Sequence, residues 1–208
     1  VAAWDSAIEH HREERIAQRG AIHEVPLPVS LTTTQVQSLA ADPEDFLLNI
    51  VRPMPKEPTY AAKRGSAFHT WVERYFETTQ LVLDDEQFDS DEADLEELQE
   101  KFLASEWSKR KPFEQELPFT IGIGSHSIRG RIDAVYREGD GYVVVDWKTN
   151  KQQNANTLQL AVYRAAVATR FGVPLSAVRA CFFYVVHGET VWADEDVDLT
   201  HVLAVSVM

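Results

Sequence analysis

The chain has 208 residues, 44% of them hydrophobic, so it can bury a substantial core, and one domain is the default expectation. Its net charge of −13 argues against a generic basic nucleic-acid binder, and its single cysteine, Cys181, excludes an internal disulfide framework. The sequence has neither a signal-peptide pattern nor a run of roughly 20 apolar residues, which predicts a cytoplasmic protein without a membrane partner.

The first 30 residues are predicted to be a linker. Trp4, Ile8 and Ile16 recur at helical spacing among charged residues, and residues 25–28 have the composition of an extended connector. We therefore place a linker helix and connector over residues 1–30 and one folded domain over residues 31–208.

Two short helices are predicted at the start of this domain. Hydroxyl side chains at residues 32–34 can cap the first helix, which carries Val36 and Leu39. Asp42 followed by Pro43 can begin the second helix, which ends before Pro53.

Two longer amphipathic helices are predicted next, over Ala61–Leu83 and Ala93–Lys109. The second has Leu95, Leu98, Phe102 and Leu103 on one face. Ten acidic residues and no basic ones lie between Asp84 and Glu100. Without these ten charges the rest of the chain has a net charge of only −3. The acidic segment is thus interpreted as a solvated loop that runs into a helix.

From residue 114 onward the pattern changes from helix to sheet. Three β-prone runs joined by glycine-containing turns predict a meander, and a helix and two further strands follow it. The predicted elements are strands Glu114–Ile123, Ser127–Arg137 and Gly141–Thr149, helix Thr157–Phe171, and strands Val178–Val186 and Thr190–Trp192. The fold class is α/β, with a central mixed sheet of about five strands flanked by helices and an N-terminal helical annex.

Two acidic residues lie in otherwise apolar strands. Asp133 follows Gly130-x-x, and Asp146 follows the run Tyr142-Val-Val-Val. An ionised carboxylate in such a place must be paired or bound to a cation, and hard oxygen ligands suit Mg²⁺ or Mn²⁺. The pair therefore predicts a site for phosphodiester chemistry.

Lys148 lies two residues after Asp146, so strand alternation points both side chains to the same face. There the lysine can steady an attacking water and offset charge in the transition state. The side chain of Trp147 would point away, which leaves its backbone carbonyl as another oxygen ligand. Taken alone, this triplet can also be a simple surface ion pair.

The order of these elements resembles a nuclease family. Gly65-Ser-Ala-Phe-His69 precedes Gly130-x-x-Asp133, then Asp146-x-Lys148 and Gln159-x-x-x-Tyr163. Over roughly Leu31–Trp192 this is similar to the RecB-like nucleases of the PD-(D/E)XK (restriction-endonuclease-like) superfamily. The segment 42–55 looks like the version found in the C-terminal nuclease domain of bacterial UvrD-like helicase-nucleases.

The resemblance implies a role for each matching residue. Asp133, Asp146 and Lys148 would be catalytic, and the metal, Mg²⁺ or Mn²⁺, would be held by His69, Asp133, Asp146 and the backbone carbonyl of Trp147. Gln159 and Tyr163 would face the site and the DNA, and Glu116 would be a supporting acidic residue. In the alternative interpretation, His69 is a hydrogen-bonded core residue with Glu73 as its partner, and Gln159 and Tyr163 only cap and pack a helix.

The resemblance also implies the protein's function and partners. The expected function is an exonuclease or endonuclease that acts in DNA repair and recombination, and the expected nucleic-acid partner is single-stranded DNA. The expected partners are a helicase motor domain in the same full-length chain and a second helicase-nuclease subunit. Many relatives carry an iron–sulfur cluster, but Asp42-Pro43 stands where they have Cys-Pro, so a one-cysteine chain is expected to have no such cluster.

Two other functions remain open from the residues. The fold could serve as an inactive DNA-binding or subunit-interaction module, although the intact Asp-Asp-Lys set speaks against this. A zinc hydrolase built on His69 and Glu73 would lack the second histidine that such a helix presents at i+4.

Overall fold

The computed structural model describes residues 26–54, 57–77, 92–193, 197 and 199. The predicted linker helix and the first part of the acidic segment lie outside these residues. Within the described part of the chain, no helix is long and apolar enough to cross a membrane.

The described part of the chain has one short strand, then four α-helices, three strands, one α-helix and two final strands. The helices are α1 (Thr33–Ala41), α2 (Pro43–Val51), α3 (Tyr60–Glu77), α4 (Glu92–Ala104) and α5 (Leu158–Phe171). The strands are β1 (Ser30–Thr32), β2 (Glu114–Ile123), β3 (His126–Glu138), β4 (Gly141–Lys148), β5 (Val178–Tyr184) and β6 (Glu189–Trp192). This confirms the predicted α/β class, the three-stranded meander and the helical annex before it.

All six of these strands form one mixed sheet. β2, β3 and β4 are antiparallel neighbours, β5 runs parallel to β4, and β6 is antiparallel to β5. β2 covers one edge of β3, so β1 and β4 share its other edge, at opposite ends of the strand. Between them, residues 130–133 of β3 have no strand partner on that edge among the described residues.

A separate apolar cluster covers each face of the sheet. On one face α1, α2 and α5 supply Val36, Phe46 and Leu160, among others. On the other face α3 and α4 supply residues such as Phe68 and Phe102. The sheet is therefore the middle of three layers, which is why β4 and β5 are apolar on both faces.

Local side-chain chemistry begins the two N-terminal helices as predicted. The backbone N–H of Gln35 donates to Thr32 Oγ1 at 3.2 Å while Gln35 Oε1 accepts from the Thr32 backbone at 2.8 Å, a reciprocal capping box. The Asp42 carboxylate accepts from the Asp45 N–H at 3.0 Å at the start of α2.

One strand was not predicted, one predicted boundary is not tested, and one predicted boundary was wrong. Strand β1 adds a sixth strand that its three residues could not reveal by periodicity. α3 is described only to Glu77, and the rest of the predicted helix lies outside the described residues. α4 ends at Ala104 and not at Lys109, because the Ser105 and Ser108 hydroxyls donate to the carbonyls of Phe102 and Leu103 and compete with helix continuation.

Leu103, predicted on the apolar face of α4, is instead 44% exposed, whereas Leu95, Leu98 and Phe102 are buried as expected. The buried face of α4 is thus narrower than the sequence suggested.

Candidate active site

The candidate site lies where β3 and β4 separate. Their ladder ends at the pair Ala134–Val145. Beyond this pair, the N–H of Trp147 in β4 donates to the side-chain Oδ2 of Asp133 in β3 at 2.8 Å, so a carboxylate takes the place of the next backbone acceptor. This contact keeps the two strands linked while it opens a gap at the edge of β3 that faces β4.

The backbone on the other side of Asp133 is also irregular. Glu116 stands opposite it in β2 but is absent from the ladder, and Glu116 has a positive φ of 45°, which costs energy for a residue with a side chain. At the same point the side-chain alternation of β3 shifts by one residue, since Ile132 packs in one core cluster and Ala134 in the other. The distortion turns both acidic residues toward the gap.

Helix α3 completes a group of three possible metal ligands. One ligand atom from each of His69, Glu116 and Asp133 lies within 4.8 Å of the other two, and His69 Nδ1 is 3.4 Å from Asp133 Oδ1. Asp146, a predicted ligand, is not part of this group, and Glu116, predicted only as a supporting residue, is.

The charges of neighbouring side chains raise the pKa values of His69 and Glu116. Burial opposes protonation of His69, but the charge and hydrogen bond of Asp133 and the charges of Asp146 and Glu116 outweigh it and raise the pKa of His69 to about 9. Burial and the charge of Asp133 also raise the pKa of Glu116. Negative charge is therefore concentrated here, and in the metal-free protein His69 is positively charged at neutral pH.

Asp146 is the most deeply buried acidic residue of the site, with 2% of its surface exposed. The Lys148 Nζ lies 2.7 Å from its Oδ2, and the Gln159 Nε2 donates to its Oδ1 at 2.7 Å. Burial, and then the charge of Asp133, raise the pKa of Asp146 to about 7 despite the lysine. No described residue donates a properly oriented hydrogen bond to Oδ2.

Gln159 of α5 fixes the geometry of this pair. Its Oε1 accepts from Lys148 Nζ at 2.9 Å, and its Nε2 also donates to the Tyr163 hydroxyl at 2.8 Å. The orientation of the amide is set by charge, because the reverse would put its NH₂ against the ammonium and its oxygen against the carboxylate. Gln159 and Tyr163 thus contact the site directly, in addition to packing α5 on the sheet.

The side chain of Trp147 lies on the opposite face, as strand alternation predicts. It is 2% exposed and packs edge-on against Phe102 of α4, with ring centroids 5.3 Å apart. Asp146 and Lys148 therefore face α5, while His69 approaches from the side of α3, and the two halves of the site meet through the gap beside Asp133.

Gly65 allows α3 to come close to the end of β4. A Cβ at this position would lie 3.2 Å from Thr149 Oγ1. One residue earlier, the Arg64 guanidinium donates to the Thr149 carbonyl at 2.8 Å. Gly65, which begins the predicted histidine element, and Arg64, which precedes it, thus set the distance of His69 from the sheet.

Glu73, predicted as a partner of His69, shows a different contact. Its backbone carbonyl accepts from the Gln115 Nε2 at 3.4 Å, next to the distorted position of β2. Sequence reasoning did not identify Gln37, whose Nε2 lies 3.5 Å from Gln159 Oε1. No pattern marks Gln37, since 122 residues separate it from its partner.

These residues fit a divalent cation. One imidazole and two carboxylates converge, and the buried Asp146 Oδ2 nearby has its charge opposed by one ammonium without a hydrogen bond directed at it. Glu116 and Asp133 lie close together and are only partly exposed, and a bound cation would offset the repulsion between such carboxylates. The His69, Glu116 and Asp133 set is thus able to hold a metal, with Asp146 beside it.

Comparisons with known proteins identify a superfamily and a similar fold. The sequence model of the PD-(D/E)XK nuclease superfamily matches residues 30–197. The fold is similar to the crystal structure of a "Putative exonuclease" from Eubacterium rectale, with a TM-score of 0.58 and 12% identity, covering 86% of this chain and 77% of that one.

A second crystal structure, of SSO0001, matches at a TM-score of 0.44 and 14% identity, covering 100% of this chain and 86% of that one. No curated protein matches the sequence.

Proposed function

Because this chain belongs to the PD-(D/E)XK nuclease superfamily, we propose that it is a DNA nuclease of the RecB-like branch that depends on Mg²⁺ or Mn²⁺. The observation that supports this best is the buried Asp146 carboxylate, held between Lys148 and Gln159. In a simple surface ion pair the carboxylate is exposed to solvent, whereas Asp146 is only 2% exposed and lies beside a second acidic group.

In this proposal the cation is held by His69, Glu116 and Asp133, with Asp146 Oδ2 and the Trp147 carbonyl completing the site. Oxygen atoms predominate among these donors, which favours Mg²⁺ or Mn²⁺ over softer metals. A bound divalent cation supplies positive charge that polarises the scissile phosphate and helps a water molecule to lose its proton.

The protein's own residues then carry the remaining tasks of hydrolysis. The attacking water forms a new P–O bond, and the bond to the leaving sugar oxygen breaks. Lys148, whose side chain is 21% exposed, directs its ammonium to the negative charge that develops on the phosphate. Asp146 would be engaged by the cation in this scheme, so the proton of the water passes to bulk solvent.

Gln159 has a positioning role in this scheme. Through one amide it holds Lys148 Nζ and Asp146 Oδ1 at hydrogen-bonding distance, so the ammonium would face the phosphate and the carboxylate the cation from fixed directions. Preorganised groups of this kind do not need to reorient during the reaction, which is where their catalytic effect arises.

We further propose that the substrate is single-stranded DNA delivered by a helicase motor in the same full-length protein, in repair or recombination, with a second helicase-nuclease subunit as a further partner. The net charge of −13 supports this context, because few surplus basic residues are present to bind phosphates. Tethering to a motor would replace the missing affinity by a high effective concentration of substrate.

The test is a cleavage assay on end-labelled single-stranded and duplex DNA with Mg²⁺, Mn²⁺, Ca²⁺ or a chelator. We expect cleavage with Mg²⁺ and Mn²⁺, none with the chelator, and a preference for single strands. Binding of DNA without cleavage under every metal condition would instead support an inactive binding module.

A further inference from the structure

Two cavities meet at the catalytic lysine. One, of about 520 Å³, lies between α3 and the end of β4 and includes Gly65 and His69 in its wall. The other, of about 430 Å³, lies between α1, the start of α5 and the loop of residues 149–157. Lys148 and Asn150 belong to both walls, so the two cavities adjoin each other at the site.

The second cavity, hereafter the amide cavity, has an unusual chemistry for a nucleic-acid path. Its lining includes Gln37 and Ser38 from α1, Asn154 and Asn156 from the loop, and Gln159. Among the residues that the structure describes, Lys148 is the one charged member of this lining. Amide side chains both donate and accept hydrogen bonds, and pairs of such groups match the edges of bases.

Gln37 is free to exchange its contacts for those of a ligand. Its Nε2 lies 3.5 Å from both the Asn156 carbonyl and Gln159 Oε1, at the limit of hydrogen bonding. Such long contacts contribute little to stability, so a base that offered a shorter acceptor would replace them. The side chain thus links α1 to the loop and to α5 along one wall of the cavity.

Resting on the proposed nuclease function, we infer that the amide cavity holds unpaired nucleotides of single-stranded DNA next to the scissile phosphate, by hydrogen bonds to the bases. A volume of about 430 Å³ is that of a small-molecule pocket, which accommodates extruded bases but not a duplex. Because amides neutralise no phosphate charge, binding here releases few counterions and depends only weakly on salt.

The first test adds one positive charge to the cavity. Ser38→Lys places a lysine in the lining, and Ala40→Lys places the same charge two residues further along α1, where the side chain does not face the same direction. Binding of a fluorescent single-stranded oligonucleotide is measured by anisotropy in a chelator, over a range of salt. We expect Ser38→Lys to steepen the slope of log affinity against log salt by about 0.7 and Ala40→Lys to leave it unchanged.

The second test removes one amide. Gln37→Ala should weaken binding of the single strand by about fivefold, the effect of one net hydrogen bond. Gln153→Ala removes an exposed amide of the same loop that does not line the cavity and should have no effect.

The inference is overturned if Ser38→Lys and Ala40→Lys have the same salt slope, if Gln37→Ala binds as tightly as Gln153→Ala, or if no variant binds the oligonucleotide. Metal-dependent cleavage by the unsubstituted chain is recorded in parallel. Retained cleavage with any of these results rejects the amide cavity alone, while absent cleavage rejects the proposed nuclease function.

Discussion

Replacement of Gln159 by methionine tests how the buried acidic residue is stabilised. Methionine is similar in length but apolar, so Gln159→Met removes the donor to Asp146 Oδ1 and the acceptor for Lys148 while it keeps the packing of α5. A buried charged acceptor left without its donor costs about 2 to 3 kcal/mol of folding stability. We expect a loss of this size at pH 8 without divalent cations.

The same variant should be less destabilised at low pH. The pKa of Asp146 is raised to about 7, so its carboxyl is ionised at pH 8 and protonated at pH 5.5. A neutral carboxyl loses only an ordinary hydrogen bond, worth about 1 kcal/mol. Urea denaturation followed by tryptophan fluorescence at both pH values measures the difference, with Gln153→Met as the control. Equal losses at both pH values, or a loss no larger than that of the control, would refute the reasoning.

Three further outcomes are expected. Lys148→Ala should lower the cleavage rate by about 100-fold to 1000-fold yet leave metal affinity nearly unchanged, as initial rates and calorimetric titration would show. The pKa of His69 is raised to about 9. The metal-free protein should therefore lose about 1 to 2 kcal/mol of unfolding free energy as pH rises from about 6.5 to 9, after allowance for a side chain that is 32% exposed. The variant His69→Gln should lack this loss. Gly130→Ala should cost about 1 to 3 kcal/mol in urea denaturation, since its Cβ would lie 2.7 Å from Thr33 Oγ1, whereas Gly122→Ala, with open space around it, should cost much less.

Features that depend on neighbouring residues could be predicted from the sequence. The cap of α1 by Thr32 and that of α2 by Asp42 follow from side chains within three residues of the N–H groups they accept from. Strand alternation alone places Asp146 and Lys148 on one face and Trp147 on the other.

Features that depend on distant backbone could not be predicted in this way. The positive φ of Glu116 and its missing ladder contacts bring this side chain to Asp133, and no local pattern marks either. Glu116, predicted only as a supporting residue, therefore joins His69 and Asp133 as a possible ligand for a reason that the sequence pattern does not contain. The contact between the Trp147 N–H and Asp133 likewise requires two strands to diverge, which becomes visible only once they are placed side by side.

The most direct test of the account compares Asp133→Asn with Asp140→Asn. Asparagine at 133 keeps an oxygen for the Trp147 N–H but removes the charge from the candidate metal group, while Asp140 is exposed in the turn between β3 and β4. Mn²⁺ binding and cleavage of end-labelled single-stranded DNA are measured on both variants, after equal thermal stability has been verified. The account predicts that Asp133→Asn loses both Mn²⁺ binding and cleavage and that Asp140→Asn retains both. Unchanged metal binding and cleavage in Asp133→Asn would contradict it.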